Sequence, residues 1–299
     1  MSLGVIFKET RPQFLVLTPA CLLVGLGTAA QILGGVGEIP WGYAALAFAG
    51  GLFAHVAVNV LNDYFDYISG LDLRTRRTPF SGGSGILPAG LMSPRGALKL
   101  GLVALGVVVA TGVYFLAVRG WKILPLGLLG IVVVVLYTPF ITRSPFLCLI
   151  APGLGFGPLM VMGMHFVLTG RYDPMALGAS LVPGLLVSNL LLINQFPDLE
   201  ADRASGRHHL VIVLGRKKSS RVYALVSSSA FGWLLFSVIF GLLPPGALLG
   251  LLPFPLALKT VRGVLQKAED LEGLMPFLGS NVLYTLLVPT LMGVGLLVF

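Results

Sequence analysis

Apolar and polar residues segregate along this chain in long blocks, not in short periods. Nine apolar stretches stand out, at roughly 14–35, 42–62, 97–118, 122–139, 146–168, 176–196, 222–241, 246–258 and 281–299. Most approach the ~20 residues an α-helix needs to cross a bilayer. Lipid offers the backbone no hydrogen-bond partners, so a spanning segment is a helix or a closed-barrel strand. The alternation of barrel strands is absent, and the blocks predict helices. The eighth is short and holds Pro244, Pro245, Pro253 and Pro255, which makes its span the weakest. The expected fold class is all-α, a polytopic membrane protein of about nine transmembrane helices forming one domain over residues 1–299.

Composition agrees. Of 299 residues, 56% are hydrophobic and only 11% charged, against about 25% charged in soluble domains; the mean hydropathy is +0.92. The net charge of +8 reads differently once the chain is placed in a membrane, where excess Lys and Arg report loop topology and anionic headgroups. No basic helix or aromatic platform accompanies it, so nucleic acid is not an expected partner. With the N-terminus inside and nine spans, 17 of the 20 Lys and Arg fall on the inner side; only Arg119, Lys122 and Arg171 fall outside. This split predicts a cytoplasmic N-terminus and an external C-terminus, in a multi-pass protein of the cell membrane in contact with lipid. An eight-span arrangement would bring the C-terminus inside and leave the first two long loops where they are. Cys21 and Cys148 lie far apart in apolar stretches and read as small buried hydrophobes, with no disulfide or zinc site implied. No cleavable signal peptide is visible, because the first apolar run is too long for one.

The chemistry collects on two inner segments, 63–96 and 197–221, which follow the second and sixth apolar blocks. The first opens Asn59-Val-Leu-Asn62-Asp63-Tyr-Phe-Asp66 and continues to Gly70-Leu-Asp72; the second reads Asn194-Gln195-Phe-Pro197-Asp198-Leu-Glu200-Ala-Asp202-Arg203. Asn62 and Asp66 are four apart, as are Asp198 and Asp202, so each pair shares a helix face if its helix continues. Asp63 can join the first pair; Asp72 follows an expected helix break at Gly70, and Pro197 is expected to start or kink a helix just before the second pair. Six of the twelve acidic residues fall in these motifs: Asp63, Asp66, Asp72, Asp198, Glu200 and Asp202. A single pair of loop aspartates is usually an ordinary solvated feature. Two pairs of equal spacing on one face suggest a Mg²⁺ and diphosphate site, since Mg²⁺ takes one or two carboxylates and completes its octahedron with water and phosphate oxygens. Arg74, Arg76, Arg77, Arg203 and Arg207 stand beside the motifs as phosphate partners.

At these residues the chain resembles the UbiA superfamily of intramembrane prenyltransferases, whose pattern is an Asn-x-x-x-Asp first motif and an Asp-x-x-x-Asp second motif. The resemblance covers nearly the whole chain. It is most like the menaquinone-type branch, the 1,4-dihydroxy-2-naphthoate polyprenyltransferases, through NDYFDYISGLD, GPLMVMGMHFVLTG (157–170), LLVSNLLLINQFPDLEADRASGRHHLVIVLGR and Arg11-Pro12. One departure is Gly70, where many members carry a further aspartate; here Asp72 follows two residues later. The resemblance implies helices around a central cavity with the motifs at its cytoplasmic mouth, Mg²⁺ as cofactor, an isoprenyl diphosphate donor and an aromatic or other lipophilic acceptor in quinone biosynthesis. It implies Asn62, Asp66, Asp198 and Asp202 as catalytic and metal-site residues, with Asp63 and Asp72 as further metal candidates. Arg11, Asn59, Arg74, Arg77, Tyr137, Asn194, Arg203 and Arg207 are the substrate-binding candidates.

Other polar residues read more plainly. Tyr137, His165, Asn189, Asn194 and Asn59 lie within apolar spans, where polar groups face the bundle interior and serve either function or interhelical bonding. His55 is expected to pack inside the bundle, and His208 and His209 read as solvated loop residues. The glycine-rich Thr78–Gly85 segment lacks the Gly-Lys-Ser/Thr of a phosphate-binding Walker loop; it reads as a cap over the cavity mouth or a plain linker. Competing functions are prenylation of a glycerol-phosphate ether lipid, a haem, a chlorophyll-type acceptor or a phenol; phosphatidyl-alcohol transfer, whose aspartates form a single run unlike the two separate motifs here; and transport, which tends to put charge at the bilayer midplane.

Overall fold

The computed structural model describes residues 2–75, 77–78 and 82–299, and among them there are only helices, turns and loops. A short N-terminal helix α1 (Leu3–Glu9) precedes the long helices α2 (Pro12–Leu33), α3 (Trp41–Ile68) and α4 (Pro94–Arg119). The short α5 (Trp121–Leu136) leads to α6 (Pro145–Thr169), α7 (Pro174–Ala204) and α8 (Leu210–Ile239). The chain closes with a bent pair, a 3₁₀ segment Pro245–Leu251 and α9 (Phe254–Lys267), then α10 (Leu271–Val298). Among the described residues seven helices are long and apolar enough to cross a bilayer, and there are eight if the bent pair, turned by 40°, is counted as one span. The protein is thus a multi-pass membrane protein. All nine apolar stretches are helical, but that at 122–139 forms only the short α5 and the proline-rich eighth is broken, so nine full spans is an approximate count.

Local sequence sets these helices in register. Three of them start the same way, with a side chain capping the first turn and proline at the first helical position: Ser93-Pro94, Ser144-Pro145 and Asp173-Pro174. Asp173 Oδ1 accepts from Met175 N at 2.8 Å, which occupies a donor the helix cannot, while proline gives up an N–H that had no partner there. Where α6 crosses α7 the backbones nearly touch: a Cβ on Gly153 would lie 2.3 Å from the Gly184 carbonyl oxygen, and one on Gly157 would lie 2.6 Å from that of Ser180. Small residues permit this close helix packing, which in lipid relies on van der Waals contact and polar bonds. The same helix relaxes into a π-turn at Gly155–Leu159, around Pro158, as proline's missing N–H invites.

The helices that carry the motifs outlast their apolar blocks. α3 continues from the expected end at 62 to Ile68, and α7 from 196 to Ala204, through Pro197 without a break in the helix. The acidic residues expected to open loops therefore sit on the last turns of two helices. α8 begins at Leu210 and is kinked at Gly215 (φ 75°, ψ 165°), ahead of the expected start at 222.

Candidate active site

The acidic ends of α3 and α7 converge on a polar cavity of about 120 Å³. Asn62, Asp66 and Asp72 line it from the first motif; Asn194, Asp198 and Asp202 line it from the second. Both helices present their C-termini, and the negative end of the helix dipole adds to the carboxylates. Such a place calls for cations, and the chain supplies two arginines.

Arg207 joins the two motifs. Its Nη2 donates to both oxygens of Asp66, at 2.6 and 2.7 Å, and its Nη1 to Asp202 Oδ1 at 2.8 Å. Burial pulls the Arg207 pKa down, but the charges of Asp66 and Asp202 outweigh it and hold the guanidinium above its ordinary range. Arg11 serves the first motif alone: it pairs with Asp63 and donates to Asn62 Oδ1 at 3.2 Å. It does so from a left-handed backbone (φ 54°), unusual for a residue other than glycine, immediately before Pro12. Asn62 in turn donates to Asp66 Oδ2 at 2.9 Å and Thr138 Oγ1 at 3.1 Å.

Asp72 reaches the cavity by a turn. Gly70 (φ 75°) ends α3 with a left-handed residue, and the amides of Leu71 and Asp72 fold back to bond the Asp66 carbonyl at 3.0 and 3.3 Å, a helix-ending turn that glycine permits. Gly70 is thus what returns Asp72 to the mouth. Burial, then the neighbouring Asp66, push its carboxyl up to about 7, against the opposing pull of Arg11 and Arg207. Its Oδ2, like Asn194 Oδ1, is buried with no hydrogen-bond partner among the described residues.

Gly83 and Ser84 of the glycine-rich segment lie on these acids. A Cβ on Gly83 (φ 71°) would come within 3.1 Å of Asp72 Oδ2 and 3.2 Å of Asp63 Oδ1. Ser84 N donates to Asp63 Oδ2 at 2.9 Å, and Ser84 Oγ to Glu9 Oε2 at 2.7 Å. Glu9 is fully buried, and that burial raises its pKa despite the Ser84 bond and Arg11. Asn59 Nδ2 donates to the Thr10 carbonyl at 3.0 Å, so the N-terminal segment is tied to both α3 and the segment above it.

Below the mouth, an apolar chamber of about 510 Å³ runs between α3, α4, α5 and α6, within the ~300–1,000 Å³ typical of small-molecule pockets. Arg11, Asn62, Tyr137, Leu191 and Asn194 line both cavities and form the collar between them. Asn59 and His55 line the chamber only; His55 Nδ1 bonds Thr18 Oγ1 at 2.9 Å and its ring meets Phe156 edge-on. His165 bonds Thr28 Oγ1 at 3.0 Å and Asn189 donates to the Tyr223 carbonyl at 2.9 Å, both interhelical bonds away from the mouth.

The structure does not bring every sequence candidate together. Asp63 is buried against Arg11 and Ser84 and does not line the polar cavity. Arg74, Arg77 and Arg203 are exposed outside it; Arg77 bonds the Ser84 and Gly83 carbonyls, and Arg203 pairs with Glu200 at 3.4 Å. Arg76 lies outside the described residues. His208 is exposed as expected, but His209 is not solvated: it is 1% exposed, lines the polar cavity and bonds Asp202 Oδ2 through Nε2 at 2.9 Å. Glu9, Thr138 and Ser84 also escaped sequence reading, since none belongs to an acidic motif and their partners are 75, 76 and 21 residues distant.

The donor set suits a hard cation. Among the described residues no three His, Cys, Asp or Glu side chains are clustered as a complete metal cage. Carboxylates from two helices with an amide between them instead match an ion that keeps water and takes phosphate oxygens, as Mg²⁺ does.

Comparison with known proteins agrees with this architecture. Residues 16–282 match the UbiA prenyltransferase family. The chain is 30% identical, over 89% of its length and 84% of the other, to the 1,4-dihydroxy-2-naphthoate octaprenyltransferase of Bacillus subtilis. It is 28% identical, over 84% of its length and 81% of the other, to the digeranylgeranylglyceryl phosphate synthase of Thermococcus kodakarensis. Two solved structures share the fold: one from work on digeranylgeranylglyceryl phosphate synthase (TM-score 0.69, 16% identity, 99% of each chain), and a UbiA homologue from Archaeoglobus fulgidus bound to GPP and Mg²⁺ (TM-score 0.63, 14% identity, 99% of this chain and 100% of that one). The chain belongs to the UbiA prenyltransferase family and is a prenyltransferase, similar in sequence to the naphthoate-prenylating enzymes.

Proposed function

We propose that this enzyme transfers an isoprenyl group from an isoprenyl diphosphate to an aromatic acceptor resembling 1,4-dihydroxy-2-naphthoate, in membrane quinone biosynthesis. The observation that carries the reading is the joining of a charged mouth to an apolar chamber across one collar, which matches a donor with an anionic head and a hydrocarbon tail. The acceptor class follows the Bacillus subtilis relative. The site is read as one unit within a single domain, and the 17-to-3 distribution of Lys and Arg, counted with α5 and the bent pair each as a crossing, supports a cytoplasmic mouth in the cell membrane.

Asn62, Asp66, Asp198 and Asp202, with Asp72 beside them, would hold Mg²⁺, which supplies positive charge to a departing diphosphate. Arg207 and Arg11 line the same cavity and would donate to the remaining phosphate oxygens, where charge-assisted bonds are strongest. As the allylic C–O bond breaks, its electron pair leaves with diphosphate. An electron-rich ring carbon of the acceptor then bonds the allylic carbon and loses its proton. Tyr137 at the collar offers an aromatic face to the cation, and the apolar chamber keeps water from it. The test is purified protein with geranylgeranyl diphosphate and a dihydroxynaphthoate, with and without Mg²⁺. Diphosphate release and a prenylated naphthoate are expected only with the metal. A second reading, prenylation of a glycerol-phosphate ether lipid, is favoured by the Thermococcus relative; turnover with a prenylated glycerol phosphate and none with aromatic acceptors would replace the first.

A further inference from the structure

His209 stands in the polar cavity in a role that neither motif assigns. Its side chain is 1% exposed and that of Asp202 2%. An ionised carboxylate can only accept, so the 2.9 Å contact puts the proton on His209 Nε2, donating to Asp202 Oδ2. Arg207 takes the other oxygen, Oδ1, at 2.8 Å. The two donors thus fix the carboxylate's plane from opposite ends, and they differ. Arg207 divides itself between Asp202 and Asp66, whereas His209 serves Asp202 alone.

The backbone holds the ring in place. Arg207 N bonds the Asp202 carbonyl, and His208 N bonds the Thr142 carbonyl, both at 3.1 Å; His209 O accepts from Ile212 N at 3.0 Å as α8 begins. The turn that leaves α7 is therefore closed back on α7 and on the α5–α6 connection before His209 enters. Among the described residues His209 Nδ1 is buried without a hydrogen-bond partner and Asp202 is the one polar side chain to which this ring is committed.

We propose that His209 is a positioning residue that orients the Asp202 carboxylate for the divalent cation. The inference rests on the reading of Asp202 as a metal-site residue. Hydrogen-bond partners of metal ligands set ligand orientation and basicity, and their loss typically lowers metal affinity ~10–100-fold. A histidine placed for packing alone has no such effect.

Mn²⁺ alone, titrated into detergent-purified protein and followed by the loss of its free EPR signal, separates the two. H209A is expected to bind Mn²⁺ roughly 10–100-fold more weakly than wild type. H209Q, whose amide can donate from about the same position, is expected to recover most of that affinity. In turnover, H209A should raise the Mg²⁺ concentration for half-maximal rate with a smaller change in KM for the prenyl diphosphate. Thermal melting checks that each variant is folded; should H209A be too unstable to purify, H209L against H209Q makes the same comparison. Wild-type Mn²⁺ affinity in H209A or H209L, or a folded H209Q no better than the apolar variant, overturns the inference. D202N distinguishes its failure from that of the underlying reading. If D202N loses Mn²⁺ while H209A does not, only the role of His209 falls; if D202N binds as wild type does, the metal assignment of Asp202 falls with it.

Discussion

The two acid-bearing helix ends reach one mouth by different routes. α7 runs straight through Pro197 and delivers Asp198 and Asp202 from adjacent turns. α3 stops at Gly70 and doubles back, so its third carboxylate, Asp72, arrives from a loop over the carbonyl of Asp66. The first end is also held by more of the chain: Arg11 grips Asp63 and Asn62, and Ser84 bridges Asp63 to Glu9. The second is steadied by its own following turn, through Arg207 and His209. The difference divides the labour within one motif. Asp66 and Asp202 meet at a shared guanidinium and face the cavity, while Asp63, adjacent in sequence to Asn62, is committed to holding the N-terminal segment and the glycine-rich segment together.

Removing the facing carboxylates should have the largest effect. D66N and D198N are each expected to lower kcat by roughly 100-fold or more, the scale of losing a group that stabilises developing charge, with the protein still folded by thermal melting. Near-normal turnover in either would remove that residue from the metal site and end the symmetry between the two helices.

Next in size is the clasp itself. R207Q leaves Asp66 buried without its counter-charge, and breaking such a pair typically costs about 3–5 kcal/mol. A marked fall in melting temperature and a rise in KM for prenyl diphosphate are expected. The sharper measurement is a double-mutant cycle: because Asp66 and Arg207 share one interaction, R207Q/D66N should be less destabilised than the sum of the single variants. Additivity would mean that the two motifs are not coupled through Arg207. R207K should recover only part of the function, since an ammonium cannot reproduce the fork that spans two carboxylates.

How much of this the sequence disclosed follows the same division. The helical class and the pairing of Asn62 with Asp66 and Asp198 with Asp202 were legible, because block hydrophobicity and i, i+4 spacing are local signals. The lengths of α3 and α7 were not: hydropathy ends where lipid ends, while a helix persists until a turn such as that at Gly70 stops it. Arg207 was named for its neighbourhood, yet its bridge to Asp66 crosses 141 residues, and no local spacing encodes that. His209 was misread because a histidine pair between helices is usually solvated, and only the closure of the turn on Asp202 buries one and leaves the other exposed. Arg74, Arg77 and Arg203 failed to enter the cavity for the opposite reason, since nearness in sequence to an acidic motif does not turn a side chain toward it.

A smaller effect should separate Asp63 from Asp66. Asp63 makes an ion pair with Arg11 and accepts from Ser84 N, and D63N weakens both without removing a cavity-lining carboxylate. Faster proteolysis within residues 82–85 is expected, with a loss of kcat well short of that in D66N. S84A removes the hydroxyl that donates to Glu9 and accepts from Ile86 N, a loss of about 1–3 kcal/mol because a buried carboxylate oxygen is left unpaired, and should reproduce the proteolysis with a milder rate effect. Equal kcat losses in D63N and D66N would return Asp63 to the metal site.

The smallest effect concerns the doubled-back carboxylate. Asp72 has a folded-state pKa of about 7, raised chiefly by burial, against ~3.9 for an unfolded aspartate. Between these values the folded protein holds a proton that the unfolded chain has lost. The raised pKa therefore favours the folded state at low pH, and this contribution is lost as pH rises through about 7. In EDTA, where divalent cations do not offset the charge, the melting temperature of the wild type should fall between pH 6 and pH 8. D72N cannot ionise at this position and should flatten that slope, melting closer to wild type at pH 6 than at pH 8 and above wild type at the higher pH. Asp66 and Asp202 are each paired with Arg207 and are untouched in the variant. An unchanged slope in D72N would mean that Asp72 is as well compensated as they are, and that the straight and the doubled-back routes deliver carboxylates of the same kind.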